Sequence, residues 1–281
     1  MPGTLFVVAT PIGNLEDITL RALRVLGTVA VIAAEDTRRT ALLLRRYEIP
    51  TRTVSFHDHN ERERTAELTR RLMAGESVAL VSDAGTPLIS DPGARLVRAA
   101  IDQGIRVETI PGPSAVMAAL TVSGLPTDRF TFLGFAPSRK GERQRWLESV
   151  RGVTGTLVYF EAPNRIRGSL EAVRDILGER QIALARELTK THETITRGAI
   201  SDVLDGELDH RGEYTVLVSD QIMPGPKVAD GIDDDSIIAM FGRITENNGA
   251  SARDAVSKIA AEAALSRQDV YAILRRAGIL G

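Results

Sequence analysis

Short apolar runs recur along the chain, each followed by small, turn-forming residues and then by a stretch with helical spacing. Thr4–Ala9, Val29–Ala34, Val78–Val81 and Ile105–Ile110 read as buried strands, and Val54–Phe56 as a short one. Asp17 is expected to cap a helix to about Leu26, ended by Gly27. Arg38 and Arg39 open a leucine-rich helix to about Tyr47. A charged helix over Glu61–Met73 closes at Gly75. The segment from Val78 to Leu96 carries the pattern most fully. Its strand stops at Ser82-Asp83, Gly85 and Thr86-Pro87 make a tight loop, and Asp91 with Pro92 suits the start of a helix to Gln103. Ser114 is expected to cap a small-residue helix from Ala115. This repeat predicts a mostly parallel sheet covered on both faces.

Past Leu125-Pro126-Thr127-Asp128 the pattern changes. Strands are expected at Phe130–Phe135, Thr156–Glu161, Ile182–Glu187 and Tyr214–Ser219, with Glu193–Arg197 pairing beside the third. Helices are expected over Gly141–Val150 and up to Leu177. Neighbouring strands without intervening helices favour a mixed sheet. Met223–Pro226 and Asp230–Asp235 read as a linker. Helices resume from Ile237, break at Asn247-Asn248-Gly249, start again at Ser251, and are capped once more by Ser266. The expected division is 1–124, an N-terminal α/β domain; 125–222, a second α/β domain; and 223–281, a linker with a helical appendage.

Composition narrows the chemistry. The chain has 281 residues, 43% of them hydrophobic, enough for more than one core. With no cysteine, disulfides, thiolate catalysis and zinc–sulfur sites are excluded. Aromatics make up 4%, so ring platforms are scarce, and a net charge of −2 argues against a uniformly basic nucleic-acid binder. No secretory leader or membrane span is evident, so a soluble cytoplasmic protein is expected.

Three loops share one character: Thr10–Asn14, Ser82–Pro87 and Pro111–Ala115. In a parallel sheet they lie along the same edge, and small residues there admit a ligand close to the main chain. G-x-G-x-x-G and G-x-x-x-x-G-K-[ST] are both missing, which leaves dinucleotide and triphosphate binding unsupported. His57-Asp58-His59 reads as a solvated turn rather than a metal site. Glu187 and Lys190 stand at a strand end as a possible polar wall, able to orient a hydroxyl or take its proton, or as a salt-bridged edge only. Arg38, Arg39 and Arg165 are candidate phosphate contacts.

The motifs Ala9–Leu15, Ala34–Arg38, Val81–Pro87, Ser90–Gly93, Pro111–Ala115 and Ala185–Lys190 resemble the tetrapyrrole-methylase-like class of S-adenosylmethionine-dependent methyltransferases. Within it the likeness is to enzymes that methylate the ribose 2′-hydroxyl of a cytidine in the decoding region of 16S ribosomal RNA. The resemblance implies a two-domain α/β fold with S-adenosylmethionine in the cleft between the domains, a homodimer, no metal, and an RNA substrate within the small ribosomal subunit. It implies that Pro11, Asp83, Ala84, Gly85, Ser114, Ala115, Leu188 and Tyr214 bind the cofactor. Phe160–Arg165 departs from the family pattern, in which Ser and then His often stand between Glu and Arg. Two alternatives stay open here: a tetrapyrrole-type small-molecule methyltransferase, and a noncatalytic ribosome-assembly factor.

Overall fold

The computed structural model describes residues 1–222, 234–248, 251–263, 265 and 267–280. Met1–Gln221 forms one compact unit and Ile222–Gly281 a second. The first unit starts with β1 (Thr4–Val8), α1 (Leu20–Thr28), β2 (Val31–Ala34), α2 (Thr37–Arg46) and β3 (Thr53–Ser55). It continues through α3 (Glu61–Met73), β4 (Val78–Val81), α4 (Ala94–Asp102), β5 (Arg106–Ile110) and α5 (Ala115–Ser123). The strands form a sheet in the order β3-β2-β4-β1-β5. Every pair in it is parallel. Such a sheet buries both faces, and β2 and β4 accordingly contain only buried residues. Ile32, Ala34 and Val81 pack under α1 and α2 on one face. Leu5, Val78 and Leu80 pack under α3 and α4 on the other.

The chain then forms β6 (Phe130–Phe135), α6 (Lys140–Ser149), β7 (Thr156–Glu161), α7 (Ile166–Leu177) and β8 (Arg180–Arg186). β9 (Thr194–Ala199), α8 (Ile200–Asp205) and β10 (Tyr214–Ile222) follow. Their sheet runs β6-β7-β10-β8-β9. It is mixed: β6 and β7 are parallel, whereas β7–β10 and β8–β9 are antiparallel. One face packs Tyr159, Leu184 and Val216 under α6, α7 and α8. The opposite face packs Val158, Ala183 and Leu217 against Val116 and Leu120 of α5, the helix that follows β5 of the first sheet.

The second unit contains α9 (Asp234–Asn248), α10 (Ala252–Glu262) and α11 (Arg267–Arg276). They enclose a core that includes Ile237, Phe241, Ile259 and Leu274. Ser251 caps α10 through Asp254 N. Ser266, Gly249 and residues 223–233 of the expected linker lie outside the described residues, whereas Asp234 and Asp235, expected in the linker, open α9 as acidic first-turn residues, and Asn247 and Asn248, expected to break the helix, end it.

Two helix starts differ from expectation. Asp17 belongs to a 3-10 turn over Leu15–Asp17, and α1 begins later, capped by Thr19, which accepts from Ala22 N at 3.1 Å. Gly27 is accordingly inside α1 rather than beyond it. Asp91 does not cap α4. That task falls to Glu61 of α3, whose Oε1 accepts from Gly93 N at 3.1 Å and Arg95 N at 3.3 Å. A carboxylate satisfies the orphan amides of a helix start from wherever it reaches them.

Candidate active site

The carboxyl ends of β1, β2, β4 and β5 open into one cleft of about 590 Å³ that also meets the ends of β7, β8 and β10. Main-chain bonds assemble its floor. Thr10 N donates to Gly85 O at 2.8 Å and Gly85 N returns a bond to Thr10 O at 3.0 Å. Thr86 Oγ1 then donates to Pro113 O at 3.2 Å. The three loops singled out in the sequence are therefore tied to one another. Gly85 has φ +78°, which only glycine adopts freely.

Asp83, Ala84, Gly85, Ser114, Ala115, Leu188, Tyr214, Glu187, Lys190 and Arg39 all line this cleft. Three candidates do not. Pro11 is buried within its loop, and its neighbour Ile12 forms the wall instead. Arg38 is turned back onto Asp36, with Nη2 at 2.7 Å from Oδ2 and Nε at 3.1 Å from Oδ1. Arg165 is held by Glu161, Nη2 to Oε1 at 2.7 Å. The Glu161 side chain is fully buried, and the same Oε1 accepts from Ala162 N at 2.8 Å, which fixes the turn at the end of β7.

One wall is acidic. Asp83 Oδ1 accepts from Asp36 N at 2.8 Å, its Oδ2 lies 3.4 Å from Arg39 Nη1, and its own amide donates to Glu35 Oε2 at 3.2 Å. Asp91 lines the same wall. Burial, with the nearby carboxylates of Glu35, Asp83 and Asp58, pushes the Asp91 carboxyl up to about 6. Burial likewise raises Glu35. Sequence reasoning did not assign Glu35 and Asp91 to the site. Glu35 had a usable signal, since it directly follows a wholly buried parallel strand.

The opposite wall is a strained turn. Glu187 and Thr189 have φ of 52° and 66°, backbone that side-chain-bearing residues rarely adopt and that favours functional positions. Lys190 Nζ donates to Glu187 Oε1 at 2.8 Å, and Glu213 N donates to the same oxygen at 3.2 Å. The bond from Lys190 holds the Glu187 carboxyl below its ordinary range. Arg186 points elsewhere, to Asp209 Oδ2 at 3.1 Å. Asn14 N donates to Thr189 Oγ1 at 3.0 Å, joining this turn to the loop after β1. Leu188 and Tyr214 add buried apolar surface.

Ser114 accepts from Met117 N at 3.5 Å and so serves as the α5 cap. His57 meets Asn60 Nδ2 through Nε2 at 3.2 Å. Among the described residues no group of three or more His, Asp or Glu side chains is arranged for a metal ion, and no helix is long and apolar enough to cross a membrane.

Residues 4–204 match the family described as Tetrapyrrole (Corrin/Porphyrin) Methylases. The Ribosomal RNA small subunit methyltransferase I of Mesorhizobium japonicum is 54% identical over 218 residues, covering 76% of this chain and 74% of that protein. The protein of the same name from Micromonospora olivasterospora is 42% identical over 286 aligned positions, covering 99% and 90%. Among solved structures, the uroporphyrin-III C-methyl transferase from Thermus thermophilus complexed with S-adenyl homocysteine aligns with a TM-score of 0.54 at 21% identity, over 77% of this chain and 97% of that one. That likeness is one of fold. The chain belongs to the tetrapyrrole methylase family of S-adenosylmethionine-dependent methyltransferases, and within it to the ribosomal RNA small subunit methyltransferase I group.

Proposed function

We propose that the protein transfers a methyl group to the ribose 2′-hydroxyl of a cytidine in the decoding region of 16S ribosomal RNA, with the cleft holding both donor and nucleotide. The observation that carries this reading is the meeting of two unlike walls in one cleft: a carboxylate wall of Glu35, Asp83 and Asp91, and the Glu187–Lys190 turn.

The residues present fit S-adenosylmethionine. That molecule carries a sulfonium and an ammonium, and Glu35 and Asp91, both raised by burial, recover a favourable charged state beside a cation. Ala84, Gly85, Ser114 and Ala115 keep side chains short where the donor's main body would lie, while Leu188 and Tyr214 offer apolar surface to its adenine. When bound, S-adenosylmethionine supplies a methyl group already activated by its positive sulfur. The chain's own task is alignment and proton removal. Lys190 Nζ, anchored on Glu187 Oε1, has further N–H groups to donate to the substrate hydroxyl oxygen. Glu187, ionised through the neutral range, takes the hydroxyl proton at Oε2, either directly or through one water.

Arg39, with 65% of its side chain exposed on the cleft wall, suits a phosphate next to the target nucleotide. We keep Arg38 and Arg165 as outer phosphate contacts and Pro11 as a support for the first loop. We also propose division at residues 124 and 222, assembly as a homodimer, a cytoplasmic location, and a substrate within the small ribosomal subunit. Against a tetrapyrrole substrate, the RNA reading is supported by the 54% and 42% identities to proteins named ribosomal RNA small subunit methyltransferase I.

The test is methyl transfer from labelled donor to small subunits lacking the modification, followed by mapping of the modified nucleotide. Label on a cytidine ribose of 16S RNA is the expected result. Label on a base, or transfer to a tetrapyrrole instead, would refute the assignment.

A further inference from the structure

β6 stays in register with β7 from Phe130 to Phe132, opposite Thr156 to Val158, and then slips by one, so that Phe135 stands opposite Phe160. Successive side chains on a strand point to opposite faces, so the extra residue carries Phe135 onto the face shared by Phe132 and Phe160. Gly134 has φ +71°, the left-handed backbone that a one-residue bulge uses. Phe160 stands between the other two rings, with centroids 5.0 Å from Phe132 and 5.2 Å from Phe135. Seven phenylalanines occur in the whole chain, and these three form one cluster.

The cluster ends in the open. Phe135 lines the cleft yet remains 60% exposed, and Ile89 lines it at 46% exposure. Ile89 lies between Leu88 and Ser90, whose φ values are 74° and 70°. A Cβ at residue 134 would lie 3.7 Å from Ser90 Oγ, so this strained turn abuts the bulge. Two irregular segments, one from each sheet, thus present apolar groups at the same cleft. Neither Phe135 nor Ile89 is needed for the charged parts of a donor. An open ring braced from behind by a second ring is a stacking surface, and a nucleotide turned out of its strand offers a flat base to cover it.

We propose that Phe135, re-aimed by the Gly134 bulge and braced by Phe160, stacks on the base of the target nucleotide and so positions its ribose. This rests on the RNA reading above and adds a substrate-positioning residue to it. Arg39 on the wall supplies the charge a neighbouring phosphate needs, while Phe135 holds the base of any sequence by its face.

The experiment uses the full chain, labelled donor and unmodified small subunits. Phe135→Ala should lower kcat/KM for subunits by roughly ten- to a hundredfold, and Phe135→Tyr should restore most of it. Donor affinity by calorimetry and the protomer association state by light scattering should stay as in the unsubstituted protein. Unchanged transfer by Phe135→Ala, while the unsubstituted protein is active, would overturn the inference and leave the RNA reading standing. Lost donor binding or lost association would assign Phe135 to the donor site or a protein interface and overturn it too. Stacking is also read without turnover. Phe135→Trp emission should be quenched by a cytidine-containing single-stranded RNA, beyond any change in Trp146 of the unsubstituted protein. Absence of that quenching would contradict the inference even if subunits proved the wrong substrate.

Discussion

Lys190 lies across Gly13 so closely that a Cβ at residue 13 would fall 2.5 Å from Lys190 Cγ and 2.7 Å from Thr189 Oγ1. The first loop and the Glu187–Lys190 turn therefore touch where only a glycine leaves room. Gly13→Ala should push the turn aside while leaving both sheets folded. Displacement by about 1 Å is enough to lower turnover about a hundredfold. Turnover near that of the unsubstituted protein, at unchanged melting temperature, would mean the contact does not position the site.

Lys190 is expected to orient the substrate hydroxyl rather than hold the donor. Lys190→Ala should lower kcat by roughly a hundredfold with donor affinity retained. It should also release Glu187, whose carboxyl Lys190 holds down, so the acid limb of the rate profile should move to higher pH. Full activity in this variant would remove Lys190 from the mechanism.

Asp91 carries a pH dependence of defined sign. Its carboxyl stands at about 6 in the folded protein against an ordinary 3.8. The native state therefore binds this proton more tightly, and stability from this group falls as pH rises from 3.8 through about 6. Asp91→Asn should raise the melting temperature by about 2 °C at about pH 8 and leave it unchanged at about pH 4. Donor affinity of the unsubstituted protein should weaken as pH falls through 6, because the acidic wall loses charge there. Equal melting shifts at both pH values would contradict this account.

Glu161 ties β7 to the turn that follows, and its partner Arg165 is left with its charge if the carboxylate is removed. Glu161→Ala should cost about 2 kcal/mol in chemical denaturation, since it removes a charge-assisted bond to a guanidinium that water only partly reaches. A loss below about 0.5 kcal/mol would place the pair in the class of solvated surface bridges.

Much of this was legible from local pattern. Glu61–Met73 and Val78–Val81 have the bounds their residues suggest, because a charged amphipathic stretch ending at Gly75 and a continuous apolar run are both local signals. Ser114 is a cap because it stands directly before its helix. The misses are non-local or compete with near neighbours. Thr19 and Asp17 are both capping types two residues apart, and only the intervening 3-10 turn decides between them. The cap of α4 comes from Glu61, another helix altogether. For Arg38 and Arg165, which stay candidate phosphate contacts, the sequence shows the charge but not the ion pairs with Asp36 and Glu161 that set where their guanidinium groups lie. α8 is too short to show a period. The slip that turns Phe135 into the cleft leaves no mark in an alternating strand pattern beyond one glycine.

The central claim is that the cleft between the two sheets receives S-adenosylmethionine at its carboxylate wall. Titration calorimetry of the donor into folded, donor-free protein tests it directly, with Asp83→Ala and Asp91→Asn beside the unsubstituted chain. The account predicts saturable uptake at one site per chain, weakened about tenfold or more in the Asp83 variant, which loses its carboxylate's ties to Asp36 N and Arg39. No heat of binding in the unsubstituted protein, or equal affinity in all three, would contradict it.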